Sequence, residues 1–209
     1  MLIADAQAQV YAAREGSLKY LRIRGCAYGQ RRSFIVAACG NEESATVCAN
    51  ESHITLTGVV VASEDAFQAE GHQVEKSIYE SYVAVQNLRT GHVLHHVPTG
   101  TPLKPESANV RYVGVGPVVG LVLKSDGAVA WIAEDYERSA TPHGTGTPYF
   151  DVYATDKLGT RLLASGTNVD PSSLALSVGS VDVGGYRRTI VGSTLYWTQS
   201  GDQFSATLN

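Results

Sequence analysis

The sequence predicts an all-β fold, a small β-propeller-like repeat of about four antiparallel four-stranded blades, closed or partly open. Three observations predict it. The composition is that of strands and turns, with 21 Gly and 11 Tyr against a single Met in 209 residues. Turn glycines recur between alternating apolar runs over the length of the chain. No stretch sustains a 3.6-residue apolar period, so no helix is expected.

Four segments share a Gly between two β-type runs: Arg22 to Phe34 around Gly29, Val83 to Val97 around Gly91, Val152 to Gly166 around Gly159, and Tyr196 to Leu208 around Gly201. In VAVQNLRTGHVLHHV and VYATDKLGTRLLASG the Gly supplies the positive-φ position of a hairpin turn. A second hairpin is expected before each, with turns at Glu15-Gly16, Thr57-Gly58, Asp126-Gly127 and Val191-Gly192. Asp126-Gly127 is the strongest of these signals. Each unit then runs hairpin, connection, hairpin. Radial repetition of such units makes a propeller, whereas face-to-face stacking makes a sandwich or barrel. The strand Gln9 to Ala13 is expected to complete the sheet of the last unit. Residues 1–8 read as an N-terminal stub and residues 9–209 as one domain.

Composition bounds the function classes. A formal charge of −4 and a pI near 5.8 argue against a general nucleic-acid or anionic-membrane binder. No apolar run approaches the roughly 18–20 residues of a membrane-spanning helix. Ala4-Asp5-Ala6 before Gln7 has the small-x-small pattern that ends an export signal, so a secreted or extracytoplasmic location is expected. Cys26, Cys39 and Cys48 are an odd number. A Cys39–Cys48 disulfide would tie down the polar stretch 40–47. Cys26–Cys48 is the rival pairing and three free thiols the third alternative. No C-x-x-C pair offers a zinc or redox site.

Several motifs together carry a family likeness. They are Cys26 followed by Gly29-Gln30-Arg31-Arg32, L-R-T-G-H-V-L from Leu88, SDGAVAWIAED from Ser125, VDPSSLALS from Val169, and STLYWTQSG from Ser193. The chain resembles a group of uncharacterised exported actinobacterial proteins with propeller-like repeats. The resemblance implies fold and compartment, and no activity.

No motif carries chemistry by itself. His92 and His96 share a strand face about 13 Å apart, and His95 faces the other way, so one strand cannot gather a metal site. Lys19, Arg22, Arg24, Arg31 and Arg32 read as charge guarding an exposed strand. GVGPVVG, from Gly114, has the wrong spacing for a dinucleotide loop and reads as a strand. Trp131 and Trp197 hold matching second-strand places and read as packing between blades. No cofactor is expected.

The longest connections, Phe67 to Ser81 and Asp135 to Pro148, both join second to third strands. In a propeller they emerge on one face, and His72, Lys76 and Tyr79 with Tyr136, Arg138, His143 and Tyr149 are the candidate binding residues there. The expectation is a non-catalytic interaction module for a protein or cell-envelope glycan. One alternative is a glycan hydrolase with carboxylates such as Glu134 or Asp135 at the central channel. The other is a structural subunit whose sheet a partner completes.

Overall fold

A computed structural model describes residues 1–15, 20–38, 53–69, 77–100, 110–113, 116–135, 147–183 and 186–209. They form strands only, and no helix among them is long and apolar enough to cross a membrane. Sheet A is β1 (Ile3–Ala4), β2 (Ala8–Glu15), β3 (Tyr20–Ala27) and β4 (Phe34–Ala38), in that order. Sheet B is β5 (Thr55–Thr57), β6 (Val60–Ala69), β7 (Ser77–Asn87) and β8 (Val93–Pro98); β9 (Val110–Val113) runs parallel to the first part of β7. Sheet C is β10 (Val118–Leu123), β11 (Val129–Glu134), β12 (Phe150–Asp156) and β13 (Gly159–Gly166). Sheet D has three strands, β14 (Ala175–Val183), β15 (Tyr186–Gln199) and β16 (Asp202–Thr207).

Sequential antiparallel order follows from short turns, which leave adjacent strands nowhere else to pair. Gly29, Gly58, Gly91, Gly127, Gly159 and Gly201 all adopt the positive φ expected of them. Sheets B and C reproduce the expected unit of hairpin, connection and hairpin.

Three apolar clusters lie between successive sheets. Ala8, Val10, Ile23 and Val36 of sheet A pack on Val61 and Leu88 of sheet B. Val60, Ala62, Val83 and Val85 of sheet B meet Val118, Val129, Trp131 and Tyr153 of sheet C. Ala130, Ile132, Val152 and Ala154 of sheet C meet Leu195, Trp197 and Leu208 of sheet D. A strand whose alternate residues enter opposite clusters is buried on both sides, which is why β11 reads as an apolar run and the middle of β12, Val152 to Ala154, is apolar too.

Sheets C and D repeat one device. Trp131 pairs across the strands with Tyr153 and stacks on it at 5.4 Å between ring centroids; Trp197 does the same with Phe204 at 6.0 Å. This register makes β14, β15 and β16 the counterparts of β10, β11 and β12. Among the described residues sheet D has no counterpart of β13.

Four expectations are corrected. Gln9 to Ala13 lies in β2, between β1 and β3, because Ala8 and Val10 enter the core beneath sheet A rather than reaching sheet D. Gly192 makes no turn and sits within β15. A Cβ there would come within 2.1 Å of Ser177 Oγ, so this glycine serves close strand approach beside the bulge at Leu176/Val178. The expected turn at Gly16 lies outside the described residues, between β2 and β3, whose last described pair is Glu15 opposite Tyr20. Phe67 to Ser81 is mostly ladder, with Phe67 opposite Glu80 and Ala69 opposite Ile78, which shortens the connection to residues 70–76. Ile3 and Ala4, within the expected stub, pair with β2.

Candidate functional site

Sheets B and C have two distinct ends. At one end lie the tight turns, where Thr57 Oγ1 donates to Leu123 O and Gly127 approaches Leu94. At the other, the Val118 N–H donates to Glu64 Oε2 at 3.2 Å, and Val118 is opposite Ala133 near the end of β11. The strands flanking residues 70–76 and those flanking 136–146 therefore leave sheets B and C at this same second end.

Two buried carboxylates stand there. Glu64, 5% exposed, accepts from Ser81 Oγ at 2.8 Å and from Val118 N–H, and pairs with His53 Nδ1 at 3.3 Å. Asp151, 1% exposed, accepts from Tyr153 Oη at 3.1 Å and bonds Ser165 Oγ, which also contacts Tyr149 Oη at 3.2 Å. Next to them the Trp131 indole donates to Thr99 O at 2.7 Å. Val118, Ala133 and Asp151 are in register on neighbouring strands, so the two carboxylates flank about 10 Å of sheet. Both groups are closed off by donors, and a general acid must be reachable by substrate. Glu64 joins sheet B to sheet C, and Asp151 ties β12 to β13 within sheet C.

The open site lies between sheets A and B. Alternation along β6 sends Val60, Ala62 and Glu64 toward sheet C and Val61, Ser63 and Asp65 toward sheet A. Cross-strand pairing adds Ala84 opposite Ser63 and His96 opposite Ala84. Edge strand β4 covers part of this face with Ile35, Val36 and Ala37, and Ser63 Oγ fixes its distance by donating to Val36 O at 3.0 Å. A groove of about 240 Å³ remains, with an apolar floor.

Its rim is polar. His96 Nε2 stands 3.9 Å from Asp65 Oδ2, and both side chains are about half exposed. The Tyr82 ring stacks on the His96 imidazole at 4.3 Å and 17°, which fixes the direction of the imidazole nitrogens. Gln86 Nε2 donates to Gly91 O at 3.2 Å, holding its amide beside Val93. His95 points the other way, as expected: burial pushes its pKa down against the pull of the Asp156 carboxylate.

Of the expected binding residues, Tyr149 is described at the start of β12, where its carbonyl accepts from Asp135 N–H at 2.7 Å. Tyr79 lies in β7, opposite Gln68 and beside Tyr112 of β9. His72, Lys76, Tyr136, Arg138 and His143 lie outside the described residues, as do Cys39 and Cys48. Cys26 is a free thiol near Gln9, so the Cys26–Cys48 pairing is not formed. Glu134 and Asp135 end β11, at the connection end of sheet C. The described residues bring no three metal-ligating side chains together.

Asp65 and Tyr82 escaped the sequence reading, which placed His96 on a strand face without assigning it to a site. The alternation V-A-S-E-D in β6 was the available signal, but the partner across the groove is β4, which the sequence does not place. No protein-family model, curated protein or solved structure matches this chain.

Proposed function

We propose that the chain is a non-catalytic binding module, working outside the cytoplasm, that holds a sugar ring of a glycan in the groove between sheets A and B. The groove itself supports this most directly. It combines an apolar floor with a carboxylate, an imidazole and an amide on one rim. A pyranose ring has the complementary build, with C–H faces that suit apolar surface and a belt of hydroxyls that suits fixed donors and acceptors. About 240 Å³ is at the small end for ligand sites, which suits one ring rather than a drug-sized molecule.

Binding is favoured over hydrolysis because the lining holds one carboxylate, Asp65, where a glycosidase needs two. The β6–β7 hairpin rises directly above the groove, since Asp65 is opposite Tyr82 and the ladder continues to Ala69 and Ile78.

The test is binding of short glucose and N-acetylglucosamine oligosaccharides by calorimetry. Asp65→Ala and His96→Ala should each weaken binding about tenfold, the value of one hydrogen bond at roughly 1.4 kcal/mol. Ala84→Phe, which fills the groove, should abolish it with the circular dichroism unchanged. Binding that survives Ala84→Phe removes the groove from the account.

A further inference from the structure

Sheet D ends in the outer strand β16, which has one neighbour among the described residues. The turn from β15 to β16 is Ser200-Gly201, with φ of 57° and 85°, a type I′ hairpin closed by Gln199 opposite Asp202. In such a hairpin the closing pair is hydrogen-bonded and the pairs alternate from there. Asp202, Phe204 and Ala206 therefore turn their N–H and C=O groups to β15, and Gln203, Ser205 and Thr207 turn theirs outward. Thr207 O is taken, accepting from Arg161 Nη2 at 2.8 Å, which agrees with this phase. Gln203 and Ser205 remain, on a strand with no second neighbour among the described residues.

Natural edges are guarded by charge, proline or bulges. Outer strand β8 carries His95, His96 and Pro98, and β13 carries Arg161. β16 reads Asp-Gln-Phe-Ser-Ala-Thr, its ladder has no register shift, and Phe204 is 43% exposed.

We propose that β16 pairs antiparallel with β16 of a second copy of this chain, about a two-fold axis through Phe204. The strand is self-complementary in that register. Gln203 stands opposite Ser205 of the other copy, and each such pair exchanges two hydrogen bonds, using the outward N–H and C=O of both residues. Asp202, the strand's only charge, falls opposite Ala206, so like charges do not meet. The two Phe204 rings become a directly opposed, non-hydrogen-bonded pair, whose side chains approach closest. The stack of Trp197 on Phe204 then continues into Phe204 and Trp197 of the other copy. The second copy stands where sheet D, among the described residues, lacks a counterpart of β13.

Sedimentation of the intact chain over a concentration series tests this. The parent and Ser205→Ala should form a reversible dimer. Ser205→Pro deletes an N–H that β15 does not use, so it should raise the dimer Kd more than about tenfold while keeping the thermal midpoint. Phe204→Glu, which sets two carboxylates face to face, should also give monomer and serves if the proline variant fails to fold. A parent that stays monomeric at every concentration overturns the proposal. So does a dimer that survives both substitutions.

Discussion

Asp156 shows how much one side chain can hold in this fold. It stands where β12 turns into β13, its carboxylate bonded by both Arg161 guanidinium nitrogens at 2.7 and 2.9 Å, by Leu158 N–H and by Asn209 N–H. With Lys124 Nζ on Leu208 O and Arg161 on Thr207 O, this set pins the end of β16 to sheet C. The hydrogen bonds from Arg161 hold the Asp156 carboxyl well below the usual carboxylate range, against burial, which pushes it up. A depressed folded-state pKa gives stability that is complete above the unfolded-chain value near 3.9 and is lost as pH falls below it. Asp156→Asn should therefore cost about 1–2 kcal/mol at neutral pH by losing the charged hydrogen bonds to the partly exposed Arg161. The difference from the parent should shrink between about pH 5 and pH 2 in urea unfolding. His95, depressed by burial, also costs stability as pH falls, but in a window just below its usual 6.5 and above that of Asp156. A difference that stays constant with pH would contradict the assignment.

At the level of elements, the turns were legible and the ladders were not. Gly91 and Gly159 announce hairpins because only a positive φ reverses a chain so tightly, and that requirement is local. Gly192 carries the same letter for a different reason, the approach of Ser177 on β14, which no local pattern reveals. The ladder of Phe67 to Ala69 on Ile78 to Glu80 was hidden because each arm adds only three residues beside a polar stretch, and their pairing is set by the partner strand. β9 was missed because a four-residue strand parallel to β7 is defined by its partner. The corrected hairpin carries its own expectation. Replacing residues 70–76 by a short Asn-Gly turn should keep far-UV circular dichroism and shift stability by no more than about 1 kcal/mol, since closure entropy changes slowly with loop length. Unfolding of that variant would show that the segment carries core contacts.

Over the whole molecule, the sequence reading reached four repeated units, and the structure has four sheets meeting at three apolar interfaces. Whether the sheets close into a ring depends on how sheet D meets sheet A, a long-range pairing that composition does not encode. The groove escaped for the same reason: Ile35 and His96 are 61 positions apart and meet only because Ser63 docks β4 on sheet B. The binding reading rests on that meeting of two sheets. Amide chemical-shift mapping of the labelled protein, titrated with the glucose and N-acetylglucosamine oligosaccharides, tests it most directly. The account predicts saturable shifts gathered on Val36, Ser63, Asp65, Ala84, Gln86 and His96. Shifts gathered elsewhere, or none at saturating sugar, would contradict it.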